Sequence, residues 1–198
     1  MLEDIKLSEN VILIDVAFLN EFVRSAKSFL STRLGRELPN VDLPAWLSYM
    51  ALDAGLKVGE SKIEVILLHD QAVHTLSCCE PSDLDHLGSL ACRTPIGEYL
   101  FSSVSSSGIV STEELYLDLM NIALDSTDVK CLMLLPFHPV YGDKVEEKLC
   151  RFFKNKKEEE RSRAVYFTME ETSQPIYCRQ EPVSYSLAHA FGINPDEL

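Results

Sequence analysis

Five short apolar or β-branched runs recur along this chain: VILID at 11–15, EVILLHD at 64–70, EYLFSSVSS at 98–106, KCLMLLPFH at 130–138 and AVYFTME at 164–170. Longer amphipathic stretches separate them. Parallel neighbours in a sheet need crossovers of a dozen residues or more, and crossover helices must cover the sheet faces they pass. The alternation therefore predicts an α/β domain, a three-layer α/β/α sandwich with helices on both faces of a mostly parallel sheet of about five strands. Residues 1–198 are expected to form this one domain, with 180–198 as a short helical tail.

The helices have legible ends. Phe18, Phe22, Ala26, Phe29 and Leu30 recur at helical spacing after the first run, and Gly35 is placed to end that helix with a left-handed cap. Asp42 is an N-cap candidate with Pro44 in the first turn behind it, Trp46, Leu47, Met50 and Ala54 form an apolar face, and Gly55 is the stop. Ser111 opens S-T-E-E, a capping box with Glu114, so a helix is expected over 112–125. Another is expected over 144–153, with Asp143 as its cap. The segment 70–97 is open, with a hairpin around Thr94–Gly97 as one reading. The expected core is the aliphatic strands with Phe18, Phe22, Trp46, Met50, Leu115, Leu119, Phe152 and Phe153.

Composition narrows the class. Among 198 residues, 46% are hydrophobic and 25% charged, which is ordinary for a folded soluble protein. No apolar run reaches the roughly 20 residues that span a bilayer, and no leader pattern precedes the first run, so no membrane contact and a cytoplasmic location are expected. Six cysteines show no framework or metal spacing and read as free thiols.

The chemistry, if any, lies where apolar runs meet carboxylates. Asp15 interrupts VILIDVAFL, and a buried unpartnered carboxylate is costly. In open parallel sheets ligands bind beyond the strands' carboxyl ends, where the strand order reverses. Asp15 and the loop from His138 to Asp143 both occupy such ends, and they would be neighbours if the first and fourth runs flank the reversal. Glu114, Asp118, Asn121 and Asp125 share one helical stripe leading into the fourth run. Asp15, Asp118 and Asp143 are the candidate ligands of Mg²⁺ or Mn²⁺, with Glu114 assisting and His138 a candidate for proton transfer.

VILID, with the acidic helix and fourth run in GIVSTEELYLDLMNIALDSTDVKCLMLLPFHPVYGDKVEEKLCRFF, resembles the PIN and NYN group of metal-dependent ribonucleases. The resemblance covers residues 10–170 in layout, and Asp15 and Asp118 match as residues. It implies a PIN- or Rossmann-like fold and a divalent-metal-dependent phosphodiesterase acting on RNA. After the fourth run the chain departs from that pattern, reading Pro136-Phe137-His138 with Asp143 as the nearest carboxylate. The alternative is a non-catalytic, degenerate PIN-like interaction domain. The whole chain also looks like a family of gut Bacteroidales proteins of unknown function.

Each residue has a structural competitor. Asp15 and Asp143 could be N-caps, Glu114 and Asp118 a solvated face, and His138 a hydrogen-bonded loop residue. Charge weighs on the partner: the net charge of −13 opposes general attraction to DNA or to anionic membranes. Yet residues 144–163 hold eight of the eighteen Lys and Arg, and Lys144, Lys148 and Arg151 share one helical face that could meet RNA. The competing reading is a solvated face with Glu147 paired to Arg151. Open sheet edges could also pair two copies of the chain.

Overall fold

The computed structural model describes residues 6–106, 108, 110–169 and 172–197. Ser107 and Ile109 of the serine-rich loop, and Glu170 at the end of the fifth expected run, lie outside the described residues.

In chain order the elements are β1 (Asn10–Asp15), α1 (Val16–Leu34), β2 (Val41–Asp42), α2 (Leu43–Asp53), β3 (Ser61–Asp70), β4 (Cys79–Glu80), α3 (Leu84–Leu87), β5 (Ala91–Arg93) and β6 (Gly97–Ser106). They continue with α4 (Thr112–Asp125), β7 (Cys131–Leu135), α5 (His138–Phe153), α6 (Glu158–Arg161), β8 (Ala164–Thr168), β9 (Arg179–Pro182) and α7 (Val183–Ala190). All five apolar runs are strands of one sheet. Among the described residues that sheet has seven strands in the order β5-β6-β3-β1-β7-β8-β9, parallel except for β5, while β2 and β4 form a separate parallel pair. The expectation of about five strands is thus corrected upward. The two extra strands are short and sit at the edges, where half-exposed polar sequences such as RQEP carry no apolar signature.

Strand alternation divides the core. Ile12 and Ile14 of β1 face a cluster with Phe18, Phe22, Trp46, Met50 and Leu187, whereas Val11 and Leu13 face one with Tyr116, Met120, Leu149 and Phe153. Helices therefore cover both faces of the sheet, α1, α2 and α7 on one and α4 and α5 on the other. Of the expected core residues, Phe18, Phe22, Trp46, Met50 and Phe153 are buried, while Leu115, Leu119 and Phe152 are half-buried at the margin.

The caps follow the local signals. Gly35 takes φ 62° at the end of α1, Asp42 accepts from the Ala45 amide at 3.0 Å, and Ser111 and Glu114 form the reciprocal capping box of α4. The hairpin at Thr94–Gly97 is present, joining β5 to β6. Gly97 is demanded by close approach, because a Cβ there would lie 2.0 Å from the Ser61 carbonyl oxygen. The expected start of α5 is wrong. The helix begins at His138 and breaks at Tyr141, where φ is −139° and ψ 18°, so Asp143 lies beyond the break and caps nothing. Among the described residues no helix is long and apolar enough to cross a membrane.

Candidate functional site

The strand order reverses between β1 and β7. The chain runs outward from β1 through β3 to β6, then returns to the other side of β1 for β7, β8 and β9. Register pairs Ile14 of β1 with Leu135 of β7, so Asp15 and the Pro136–His138 turn leave the sheet side by side. That is the adjacency the sequence reading required.

Asp15 is 1% exposed, and both its oxygens are engaged. Oδ1 accepts from the Phe18 amide at 3.0 Å, which makes Asp15 the N-cap of α1. Oδ2 accepts from the Tyr141 hydroxyl at 2.6 Å. Burial raises the carboxyl above its ordinary pKa, opposed first by the Tyr141 bond and then by the Phe18 and Ala17 amides. Burial, and then the neighbouring Asp15 charge, raise the Tyr141 hydroxyl as well, so it stays protonated and donates. The backbone break at Tyr141 sits where this ring must turn in toward β1.

Aromatic rings fill the rest of the crevice. Phe18 lies 4.7 Å from the His138 ring edge-on and 6.1 Å from Phe137, and Tyr116 lies 5.5 Å from Tyr141. The Tyr116 hydroxyl donates to the Leu13 carbonyl at 3.2 Å. His138 shares a 2.7 Å hydrogen bond through Nε2 with the Phe167 carbonyl, and its buried Nδ1 has no protein partner. Burial pushes its pKa down to about 4, so the ring is neutral at pH 7.

Of the remaining candidates, Asp118 and Glu114 lie on α4, and Asp143 shares a cavity with His138. Asp118 is exposed on α4. Glu114 is occupied in the capping box, accepting from the Ser111 amide at 3.0 Å and its hydroxyl at 2.9 Å. Asp143 is exposed and lines a cavity of about 470 Å³ beyond β8 with His138, Glu146 and Ser173. There Glu146, which the sequence reading missed, is buried and accepts from the Ser173 amide at 3.0 Å and hydroxyl at 2.8 Å, tying down the chain between β8 and β9.

Among the described residues no three His, Cys, Asp or Glu side chains come together to hold a metal ion. Asp15, Asp118 and Asp143 do not fit Mg²⁺ or Mn²⁺, because they do not converge as a group of ligands: both oxygens of the buried Asp15 already accept hydrogen bonds, and Asp118 and Asp143 are exposed on α4 and α5.

The basic face is also engaged. Lys144 pairs with Glu113, Arg151 pairs with Glu147, and Lys148 reaches the Asn121 side chain at 3.5 Å. Arg161 donates to the Phe153 and Lys154 carbonyls, and Arg163 to those of Leu124, Ser126 and Val129 at the end of α4.

The family match spans nearly the same residues as this architecture. The chain belongs to DUF6621, a family of unknown function. The match covers residues 4–198. No curated protein and no solved structure matches the DUF6621 chain.

Proposed function

We propose that this DUF6621 chain is a non-catalytic interaction domain, a doubly wound, PIN-like scaffold whose switch-point carboxylate serves the fold. The observation that carries this reading is the double engagement of Asp15 by the Phe18 amide and the Tyr141 hydroxyl. A metal ligand in a Mg²⁺ site keeps oxygens open to a cation and its waters, and a few converging carboxylates share the charge. Here the carboxylate is buried, accepts a hydrogen bond at each oxygen and lies among aromatic rings. The strand order supports the layout shared with PIN and NYN domains, and the residues around Asp15 support a structural role for the acid they have in common.

The same geometry speaks against RNA as the partner. Each of Lys144, Lys148 and Arg151 has an acidic or amide neighbour, and the chain carries a net charge of −13. A phosphate backbone would have to displace those partners against a repulsive field.

Calorimetric titration with Mn²⁺ tests this reading. Wild type and Asp15→Asn are expected to give the same heats with no saturable uptake. A single saturable site in the wild type that disappears in Asp15→Asn would overturn it.

A further inference from the structure

Beyond the carboxyl end of β8, one strand from the reversal, lies the cavity of about 470 Å³ that His138, Gly142, Asp143 and Glu146 of α5 share with Met169 and Ser173. An open parallel sheet offers its ligand sites at such strand ends, and the volume is that of a small-molecule pocket. Asp143 and Glu146 converge there, since the Ser173 hydroxyl lies 3.4 Å from Asp143 Oδ1 and 2.8 Å from Glu146 Oε2. Neither Lys nor Arg is among the described residues that line it.

Two carboxylates on an acidic chain can be a solvated face, and what sets this pair apart lies behind it. Among the described residues three buried side-chain polar atoms have no hydrogen-bond partner, and two of them, His138 Nδ1 and the Tyr166 hydroxyl, belong to rings 5.3 Å apart beside this cavity. Buried polar groups left unpaired are uncommon in a folded chain. Tyr166 is 0% exposed, and its hydroxyl comes up to Gly142, where a Cβ would lie 3.6 Å from that oxygen and 3.6 Å from His138 Cβ. The missing side chain of Gly142 thus leaves a notch in the cavity wall between the two rings. Burial, and then the Glu146 charge, raise the Tyr166 hydroxyl above its ordinary pKa, so it keeps its proton and can still accept through its oxygen. His138 Nε2 meets a carbonyl, so Nε2 carries the proton of the neutral ring and Nδ1 presents a lone pair.

We infer that this cavity binds a small organic cation with a primary ammonium head and a short apolar body. The carboxylates, the Tyr166 oxygen and His138 Nδ1 all accept hydrogen bonds, and an ammonium is a donor three times over with nothing to accept. Its charge meets Asp143 and Glu146, and its N–H groups enter the notch at Gly142. Pro139 and Met169 line the cavity where the carbon chain would lie. An anion would face two carboxylates, and a neutral alcohol has one hydrogen to give where several acceptors wait. A bare divalent ion fits less well, because among the described residues no three His, Cys, Asp or Glu side chains come together to hold one. The ligand is a small molecule, so the inference goes beyond the reading of the chain as an interaction domain and does not depend on it.

Titration of the full chain with pentylamine, followed through the amide NMR shifts of Gly142, Asp143 and Ser173, tests the site. A saturable shift at these three amides is expected. Pentyltrimethylammonium, which has the charge but no N–H, is expected to bind at least about tenfold more weakly, and pentanol to give no saturable shift. Gly142→Ala sets a methyl group in the notch at ordinary contact distance, so the chain should fold and lose at least about tenfold in affinity for pentylamine. Tyr166→Phe removes a hydroxyl that has no partner, so the urea midpoint should not fall while affinity drops about threefold to tenfold. Absence of a saturable shift overturns the inference, as does equal binding of the quaternary cation, because charge alone would then attract the amine. Affinity unchanged in both variants overturns it too, since the amine would be held elsewhere on the acidic surface. Displacement of pentylamine by Mg²⁺ at comparable concentration would assign the carboxylates to a metal and overturn it likewise. Mn²⁺ uptake that depends on Asp15 would remove the interaction reading and leave the amine result as it stands.

Discussion

Replacing Tyr141 by Phe removes one hydroxyl from the crevice, and the cost of doing so should depend on pH. The hydroxyl donates to Asp15 Oδ2 at 2.6 Å with both residues buried. A hydrogen bond to an ionised acceptor contributes about 1.5–3 kcal/mol to stability, and one between neutral groups about 0.5–1.5 kcal/mol. Burial holds the folded-state pKa of Asp15 above the 3.8 of an unperturbed aspartate. Between those two values the folded chain keeps a proton that the unfolded chain has released. Asp15 therefore stabilises the fold below the unfolded pKa, and that contribution is lost as pH rises through the folded pKa. The Tyr141 bond is the largest influence opposing this rise. Without it the folded pKa climbs further and the loss deepens.

Tyr141→Phe should thus cost about 0.5–1.5 kcal/mol in acid, where Asp15 is protonated in both states, and about 1.5–3 kcal/mol on the alkaline side of its titration. Urea unfolding of wild type and variant from about pH 3 to about pH 8 measures the difference at each pH. His138 also titrates in this range, with a depressed pKa of about 4, and its contribution is lost as pH falls. It is common to both proteins and cancels in the difference. Asp15→Asn supplies the control, since the amide oxygen can still cap α1 but cannot titrate. In that background the cost of Tyr141→Phe should be flat with pH. A flat cost in the wild-type background would refute the reasoning, because it would mean that the hydroxyl's contribution does not depend on the charge of Asp15.

Two further substitutions test the frame around the site. Gly97→Ala places a Cβ against the Ser61 backbone at 2.0 Å, where no flexible side chain can give way, and should cost about 1–3 kcal/mol or more in the same unfolding assay; an unchanged midpoint would refute the close approach. Arg163→Met leaves the Leu124, Ser126 and Val129 carbonyls at the end of α4 without their guanidinium and should cost about 1.5–3 kcal/mol. An unfolding midpoint within error of the wild type would mean that Arg163 is an ordinary surface charge.

Local chemistry was legible in the sequence and distant pairing was not. Asp42, Ser111 with Glu114, and Gly35 announce helix ends because the capping partners lie within a few residues. The adjacency of β1 and β7 entered the sequence reading only as a condition, which the strand order meets. Asp15 gave two readings, ligand or cap, and what decides between them is Tyr141, 126 residues away. Nothing local marks that tyrosine, since its inward turn depends on a backbone break after which the regular helix has already resumed by Asp143. Phe29 is helical as its spacing implied, but its exposure was not legible. Its spacing matches the apolar stripe of α1, but the fully buried residues of that helix end at Val23, and beyond it Ala26, Leu30 and Leu34 pack against the core only in part.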